Sequence, residues 1–315
     1  MTQTTTTTPV WPTVSPRDHR GGRRLRRLRR RTAALAGLAW LRATFTVLQV
    51  VAPGAADRKA LDVWCTLPPG ARRRTHDHRP PGGTVERLPT ARGGEGVAEV
   101  WGDGPVVYLV HGWGGWRGQL GAFVAPLVAT GHRVVALDAP GHGEAGQGFM
   151  GPRRGTLVEI VDVLDAARER YGPAAGVVAH SLGTTAVGHA VRQGLDAQRL
   201  VLLAPNPGLA PLLDRFARML WLRRRAVAHL RGALEEIIGR PIDDLDLGPM
   251  GTAGTMPPTL VVHDEGDRET AHAVGAAVAD AWPTARLTTT RELGHYRVLA
   301  DADVVRAAVA HVTGD

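Results

Sequence analysis

The sequence predicts an α/β protein: a mostly parallel central sheet, helices on both faces and a helical cap inserted late in the chain. Three observations carry this. Short runs are apolar at every position, as strands buried on both faces must be. Helix-length stretches alternate with those runs. Turn-rich, chemistry-bearing motifs stand directly after most of them. The composition agrees, since 315 residues with 43% hydrophobic content, 39 Gly and 22 Pro exclude collagen, coiled coil and wholesale disorder. The single Cys65 excludes an intrachain disulfide and a thiolate zinc site.

Residues 1–22 are rich in Thr and Pro, with too little apolar surface to offset ordering entropy, and read as a disordered tail. The next segment, 23–80, reads as an arginine-rich arm, amphipathic helices and a linker. It opens with RRLRRLRRR (Arg23 to Arg31) and continues into the apolar stretch Ala33 to Ala52. Basic followed by apolar resembles a signal or membrane anchor. However, Arg42 splits the apolar stretch, and a mid-helix Arg opposes insertion by roughly 2.5–3.5 kcal/mol. The expectation is therefore an amphipathic helix that packs on the body or lies on an anionic membrane surface, in a cytoplasmic protein that is otherwise membrane-associated only through this segment. The charge is equally local. Residues 1–50 hold ten Arg against one acid, Asp18, whereas the remaining chain holds 28 bases against 29 acids. The net charge of +8 is thus a property of one arm. With little aromatic interleaving in that arm, nucleic acid is not an expected partner.

From residue 81 the rhythm changes, and 81–315 reads as one α/β domain. Val85–Leu88 and Val97–Trp101, separated by Gly93 and Gly94, suggest an antiparallel pair. Val106–Val110, Val134–Leu137, Val177–Ala179, Leu200–Leu203, Leu260–Val262 and Leu287–Thr290 read as parallel strands. Between them Gln119–Thr130, Thr156–Tyr171 and Leu182–Gln193 carry helical spacing, and Thr156 and Glu159 stand at capping-box spacing. About 207–256 breaks the alternation with LLDRFARMLWLRRRAVAHLRGALEEII, a helical cap over the sheet's C-terminal edge. A last helix is expected from about 297 to 312.

The strand ends carry His111-Gly112-Trp113-Gly114-Gly115-Trp116, Asp138-Ala139-Pro140-Gly141-His142-Gly143, Ala179-His180-Ser181-Leu182-Gly183, His263-Asp264-Glu265-Gly266-Asp267 and Leu293-Gly294-His295-Tyr296. A serine between a strand and a helix must occupy a sharp turn to present its hydroxyl. The residues two before and two after then crowd together and must be small, as Ala179 and Gly183 are. Ser181 is thus the candidate nucleophile. A hydroxyl needs a base oriented by a third group. His295, after a late strand and a glycine, supplies the base, while Asp267 is preferred over Asp264 as the orienting acid. Asp264 stands nearer the strand end, where an Asp caps local backbone. Candidate oxyanion donors are the backbone N–H groups of Leu182 and Trp113. The glycine-rich loop at 112–115 lacks the Lys-Ser/Thr of a phosphate cradle, and its spacing is wrong for a dinucleotide fingerprint. No cofactor and no metal is expected. Trp113, Trp116, Phe149 and Met150 lie near the expected mouth and favour an apolar acyl group.

Together these motifs, from about residue 84 to 313, resemble the α/β-hydrolase family, especially its lipase-like and serine-aminopeptidase-like branch with a helical cap. The resemblance implies a Ser181 nucleophile, a His295 base, an Asp267 acid and an oxyanion hole at Trp113 and Leu182. The chain departs from the family's usual H-G-x-x-D by carrying Asp264 in place of Gly. The implied activity is cleavage of an ester, thioester or related acyl bond of a small-molecule substrate, with carboxylesterase, thioesterase, amidase and peptidase left open. The alternative expectation is a non-catalytic protein that keeps the fold and binds an anionic membrane surface or partner through its arginine arm.

Overall fold

The computed structural model describes residues 18–68, 76–252 and 256–315, with side chains from residue 32 onward. Two N-terminal helices, α1 (Asp18–Val51) and α2 (Pro53–Cys65), precede an eight-stranded sheet. Its strands are β1 (Thr84–Pro89), β2 (Glu95–Trp101), β3 (Val106–Val110), β4 (Arg133–Asp138), β5 (Ala174–His180), β6 (Leu200–Leu203), β7 (Thr259–Asp264) and β8 (Ala285–Thr290). The order is β1-β2-β4-β3-β5-β6-β7-β8. β1, β2 and β4 pair antiparallel, and every pairing from β4 to β8 is parallel.

The continuous apolar runs are explained by the two layers they serve. Along β3, Val106, Tyr108 and Val110 face one core while Val107 and Leu109 face the other. Leu200 and Leu202 of β6 divide from Val201 and Leu203 in the same way. The first core is closed by α4 (Leu157–Tyr171) and α5 (Leu182–Arg192). The second is closed by a 3-10 turn at Arg117–Phe123, by α3 (Val124–Ala129) and by the C-terminal α11 (Ala302–Thr313). β8 departs from the expected pattern. It lies at the sheet edge, is only half-buried and carries three threonines, because an edge strand lacks a neighbour on one side.

The inserted segment forms α6 (Leu209–Leu220), α7 (Arg224–Ile238), a 3-10 turn at Ile242–Leu245 and α8 (Leu247–Thr252). The remaining helices are α9 (His272–Ala281) and a short α10 (Gly294–Arg297). The last helix is thus two pieces. The first ends at Arg297, and Asp301 caps the second, accepting from the Asp303 and Val304 amides at 3.1 Å each.

The helices of the arm lie against the body: α1 packs on α6 and α2 on α7, burying Phe45, Ala56 and Ala60. Two expectations are corrected here. Residues 18–22, read as part of a disordered tail, belong to α1; the arginines that follow are good helix formers. The rest of that tail, 1–17, lies outside the described residues. The capping box at Thr156 is also incomplete, because the Thr156 hydroxyl donates to the Glu159 carboxylate at 3.1 Å instead of accepting a backbone amide.

Candidate active site

Ser181 stands between β5 and α5 with φ +51° and ψ −121°. That region is costly for a residue with a Cβ, of order 1–3 kcal/mol, and persists only when the surroundings impose it. They do so through two glycines. A Cβ on Gly183 would lie 2.6 Å from the His111 carbonyl, and one on Gly112 would lie 2.8 Å from Ser181 Cβ. The loop after β3 therefore rests directly on the elbow. Leu182 opens α5, so its N–H is among the first amides of the helix, which have no intrahelical acceptor. The same Cβ on Gly112 would approach that amide nitrogen to 3.3 Å.

His295 sits in α10, buried, and donates from Nδ1 to Asp267 Oδ2 at 2.7 Å. This bond fixes the tautomer and leaves Nε2 as an acceptor. Asp267 is itself held by the amides of Glu269 at 2.8 Å and Thr270 at 3.1 Å, and by the Thr270 hydroxyl at 3.2 Å. Burial alone would raise its pKa. The His295 ring and those amides outweigh burial and keep the carboxyl below its ordinary range.

Asp264 does different work. Its Oδ1 accepts the Gly266 amide at 2.9 Å; its Oδ2 accepts the Leu293 amide at 3.0 Å and the Thr290 hydroxyl at 2.8 Å. It ties the end of β7 to the loop that carries His295. Of the two aspartates, the structure brings Asp267 to the imidazole and Asp264 to the backbone.

Among the described residues no hydrogen bond joins Ser181 Oγ to His295 Nε2. The two residues meet through His180, whose Nε2 donates to the His295 carbonyl at 3.0 Å and whose ring lies 4.7 Å from the His295 ring. The nearest carboxylate to His295 Nε2 is Glu269 Oε2, at 3.8 Å.

Trp113 is half-buried beside the His142 ring, and Phe149 and Met150 are partly exposed on the loop after β4. Trp116 corrects the expectation that it lines the mouth. Its ring is fully buried between the Gly118 backbone and the Arg79 guanidinium, 4.7 Å away, so it is packing.

The other motif histidines are buried and built into turns. His111 donates to the Gly112 carbonyl at 2.8 Å and accepts the Ala139 amide at 3.1 Å, while His142 donates to the Pro140 carbonyl at 3.1 Å. Desolvation pushes their pKa values down to about 4 and about 3, so both are neutral.

Sequence reasoning missed three contributors. Glu269 and Thr270 border the histidine but stand in a loop with no motif. Arg117, fully buried, binds Glu99 at 2.7 Å and also pairs with Asp138 and Glu144. That cluster fixes the loop after β3 to the Asp138 turn. A buried Arg among three acids is a tertiary arrangement with no local signal in the sequence.

The cap reaches the site through Arg215 of α6, whose Nη1 donates to the Glu269 carbonyl at 3.1 Å. A concavity lined by Pro80, Pro81, Trp101 and Tyr171 lies at the opposite, N-terminal ends of the parallel strands. Among the described residues no three His, Cys, Asp or Glu side chains gather as metal ligands would.

The comparisons with known proteins agree with this architecture. The model of the alpha/beta hydrolase family matches residues 107–308, which is more than half of the chain, and the chain belongs to that family. No curated protein matches the sequence. Solved structures similar to it include a hydrolase from Pseudomonas aeruginosa PA01, at 20% identity and TM-score 0.57 over 74% of this chain and 100% of the other. An esterase from Exiguobacterium antarcticum aligns at 14% identity and TM-score 0.55, covering 72% of this chain and 98% of its own. A thioesterase domain from the curacin biosynthetic pathway aligns at 17% and 0.55, covering 74% and 99%. At these identities the likeness is one of fold.

Proposed function

We propose that the protein is a serine hydrolase that cleaves an ester, thioester or related acyl bond through Ser181, His295 and Asp267. The observation that carries this reading is the 2.7 Å bond from His295 Nδ1 to Asp267, beside a serine held at an elbow no ordinary residue adopts unforced. The Ser181 oxygen attacks the acyl carbon as its proton passes to His295 Nε2. The negative charge that develops on the carbonyl oxygen is taken by the N–H groups of Leu182 and Trp113. The tetrahedral adduct collapses as His295 returns the proton to the leaving group, which departs and leaves an acyl-serine. Water then repeats the sequence, losing a proton to His295, and releases the acid and free Ser181. Asp267 keeps the imidazole in the required tautomer and stabilises its protonated form.

Trp113, Phe149 and Met150 favour an apolar acyl portion, and the neighbouring folds of an esterase and a thioesterase fit an oxygen or sulfur leaving group. A fluorophosphonate probe should label the folded wild type and not Ser181→Ala. Absence of labelling in well-folded wild type would favour the non-catalytic alternative. A panel of p-nitrophenyl esters of graded length, an acyl-CoA and an aminoacyl anilide then assigns the bond.

A further inference from the structure

We infer that α1 seats the protein on an anionic lipid surface, its uncharged outer face against the bilayer and its arginine-rich N-terminal half among the headgroups. From Thr32 to Val51 the only charged residue is Arg42. Arg42 turns inward: its Nε donates to the Met219 carbonyl at 2.8 Å and its guanidinium covers Trp221 at 4.6 Å. Phe45 is fully buried on the same side, and Leu38, Leu41 and Leu48 pack there in part.

At 3.6 residues per turn the opposite arc carries Leu35, Ala39, Trp40, Ala43, Val47, Val50 and Val51, without one charge. The five large members of that arc are 57–70% exposed. Met219 and Trp221, at the end of α6, are exposed beside it and extend the patch onto the cap. A helix facing water carries charged and polar residues along its outer side. This arc has no charge, and its exposed polar residues are two threonines, Thr32 and Thr46, the Thr46 hydroxyl being turned back onto the Arg42 carbonyl at 2.8 Å.

Charge complementarity selects the partner. The same helix holds seven arginines and no acid in residues 23–31, directly before the apolar face. A basic segment joined to an apolar face matches a bilayer that presents anionic headgroups over hydrocarbon. A second copy of the chain would instead bring a second run of the same sign to the patch.

Thr32–Val51 is long and apolar enough to span a membrane, with mean hydropathy 1.5. Its inner face is otherwise engaged. Gln49 bridges the turn between α6 and α7, donating to the Trp221 carbonyl at 3.2 Å and accepting the Arg223 amide at 2.5 Å. Spanning would strip Arg42, Phe45 and Gln49 from the cap, whereas lying on the surface keeps every one of these contacts. The seated helix holds the cap's turn at the lipid surface. This inference stands on α1 and the cap turn alone and is independent of the hydrolase reading.

The test is cosedimentation of the full chain with phosphatidylcholine vesicles, with and without about one third phosphatidylglycerol. The expected result is binding to the anionic vesicles at least roughly tenfold stronger than to the neutral ones, and weakened by molar salt. The triple variant Trp40→Glu, Val47→Glu, Val51→Glu should lose that binding with an unchanged melting curve. Replacement of the seven arginines at 23–31 by Gln should lose it as well. Should the triple variant melt early, the arginine variant decides alone, since those residues precede the part of α1 that packs on the cap. Equal binding to both vesicles, no binding, or membrane residence resistant to carbonate would overturn the inference. So would a dimer, seen by light scattering, that the glutamates dissolve.

Discussion

Asp264 accepts the Leu293 amide at 3.0 Å, two residues before the histidine that Asp267 holds at 2.7 Å. Neighbouring carboxylates on one loop thus divide the labour. One anchors the backbone on which His295 is mounted, and the other orients its ring.

This division separates their substitutions. Asp267→Asn should lower kcat by about four decades, because the amide no longer enforces the tautomer with Nε2 free. Asp264→Asn removes an acceptor from buried amide and hydroxyl donors and should destabilise the fold by about 1–3 kcal/mol. Its kcat should fall by much less, read as a shift in urea midpoint alongside steady-state rates. A larger kcat loss in Asp264→Asn would reverse the assignment.

Gly183→Ala should be both unstable and inactive. The new methyl would sit 2.6 Å from the His111 carbonyl and 2.9 Å from that of Val110, both backbone atoms of a central strand and its loop. The cost expected of such overpacking is about 1–3 kcal/mol. Thermal melting should show the loss, and fluorophosphonate labelling should fall with it because the elbow is displaced.

Arg117→Met should cost about 3–5 kcal/mol, since it leaves Asp138 buried without its cation and Glu99 with Arg79 alone. Adding Asp138→Asn to Arg117→Met should recover part of the loss, which a double-mutant cycle in urea would measure.

Acid should destabilise the protein well above the carboxylate range. Desolvation depresses His111 and His189 to about 4 and His142 and His180 to about 3, from 6.5. Groups neutral in the fold but protonated in the unfolded chain contribute stability above pH 6.5 and lose it as pH falls toward 3–4. Between pH 7 and 5 each should remove of order 1–2 kcal/mol. Burial raises Glu159 to about 7 and Asp246 to about 6, which acts in the opposite direction. Asp138, Asp162 and Asp165 are raised by burial as well, and His263 and His311 lowered. The histidines, whose ordinary value of 6.5 lies inside this window, dominate it, and the net change expected is a loss. The urea midpoint should therefore drop between pH 7 and pH 5; a flat or rising midpoint would contradict the burial of these rings.

The positions of the strands and the class of fold were legible because runs such as Val106–Val110 are apolar on both sides, which only a doubly covered strand requires. The sharp turn at Ser181 was legible for the same kind of reason: Gly183 marks a spot where backbone approaches backbone, and a local crowding rule leaves a local trace. The sequence by itself also determined where the charge lies, in one arm of arginines, and that Arg42 interrupts the apolar helix.

Tertiary structure alone decided the rest. No spacing rule says that Asp267 rather than Asp264 reaches His295, since the choice depends on how the loop after β7 curls under the Leu293 amide. Trp113 and Trp116 are three residues apart in one glycine-rich loop, yet one borders the site and the other is packed beneath Arg79. The docking of α1 and α2 on the cap was equally unreadable. Contacts such as Arg42 with Met219 and Gln49 with Trp221 join residues more than 170 positions apart, and pairings at that distance are fixed by shape and burial, not by pattern.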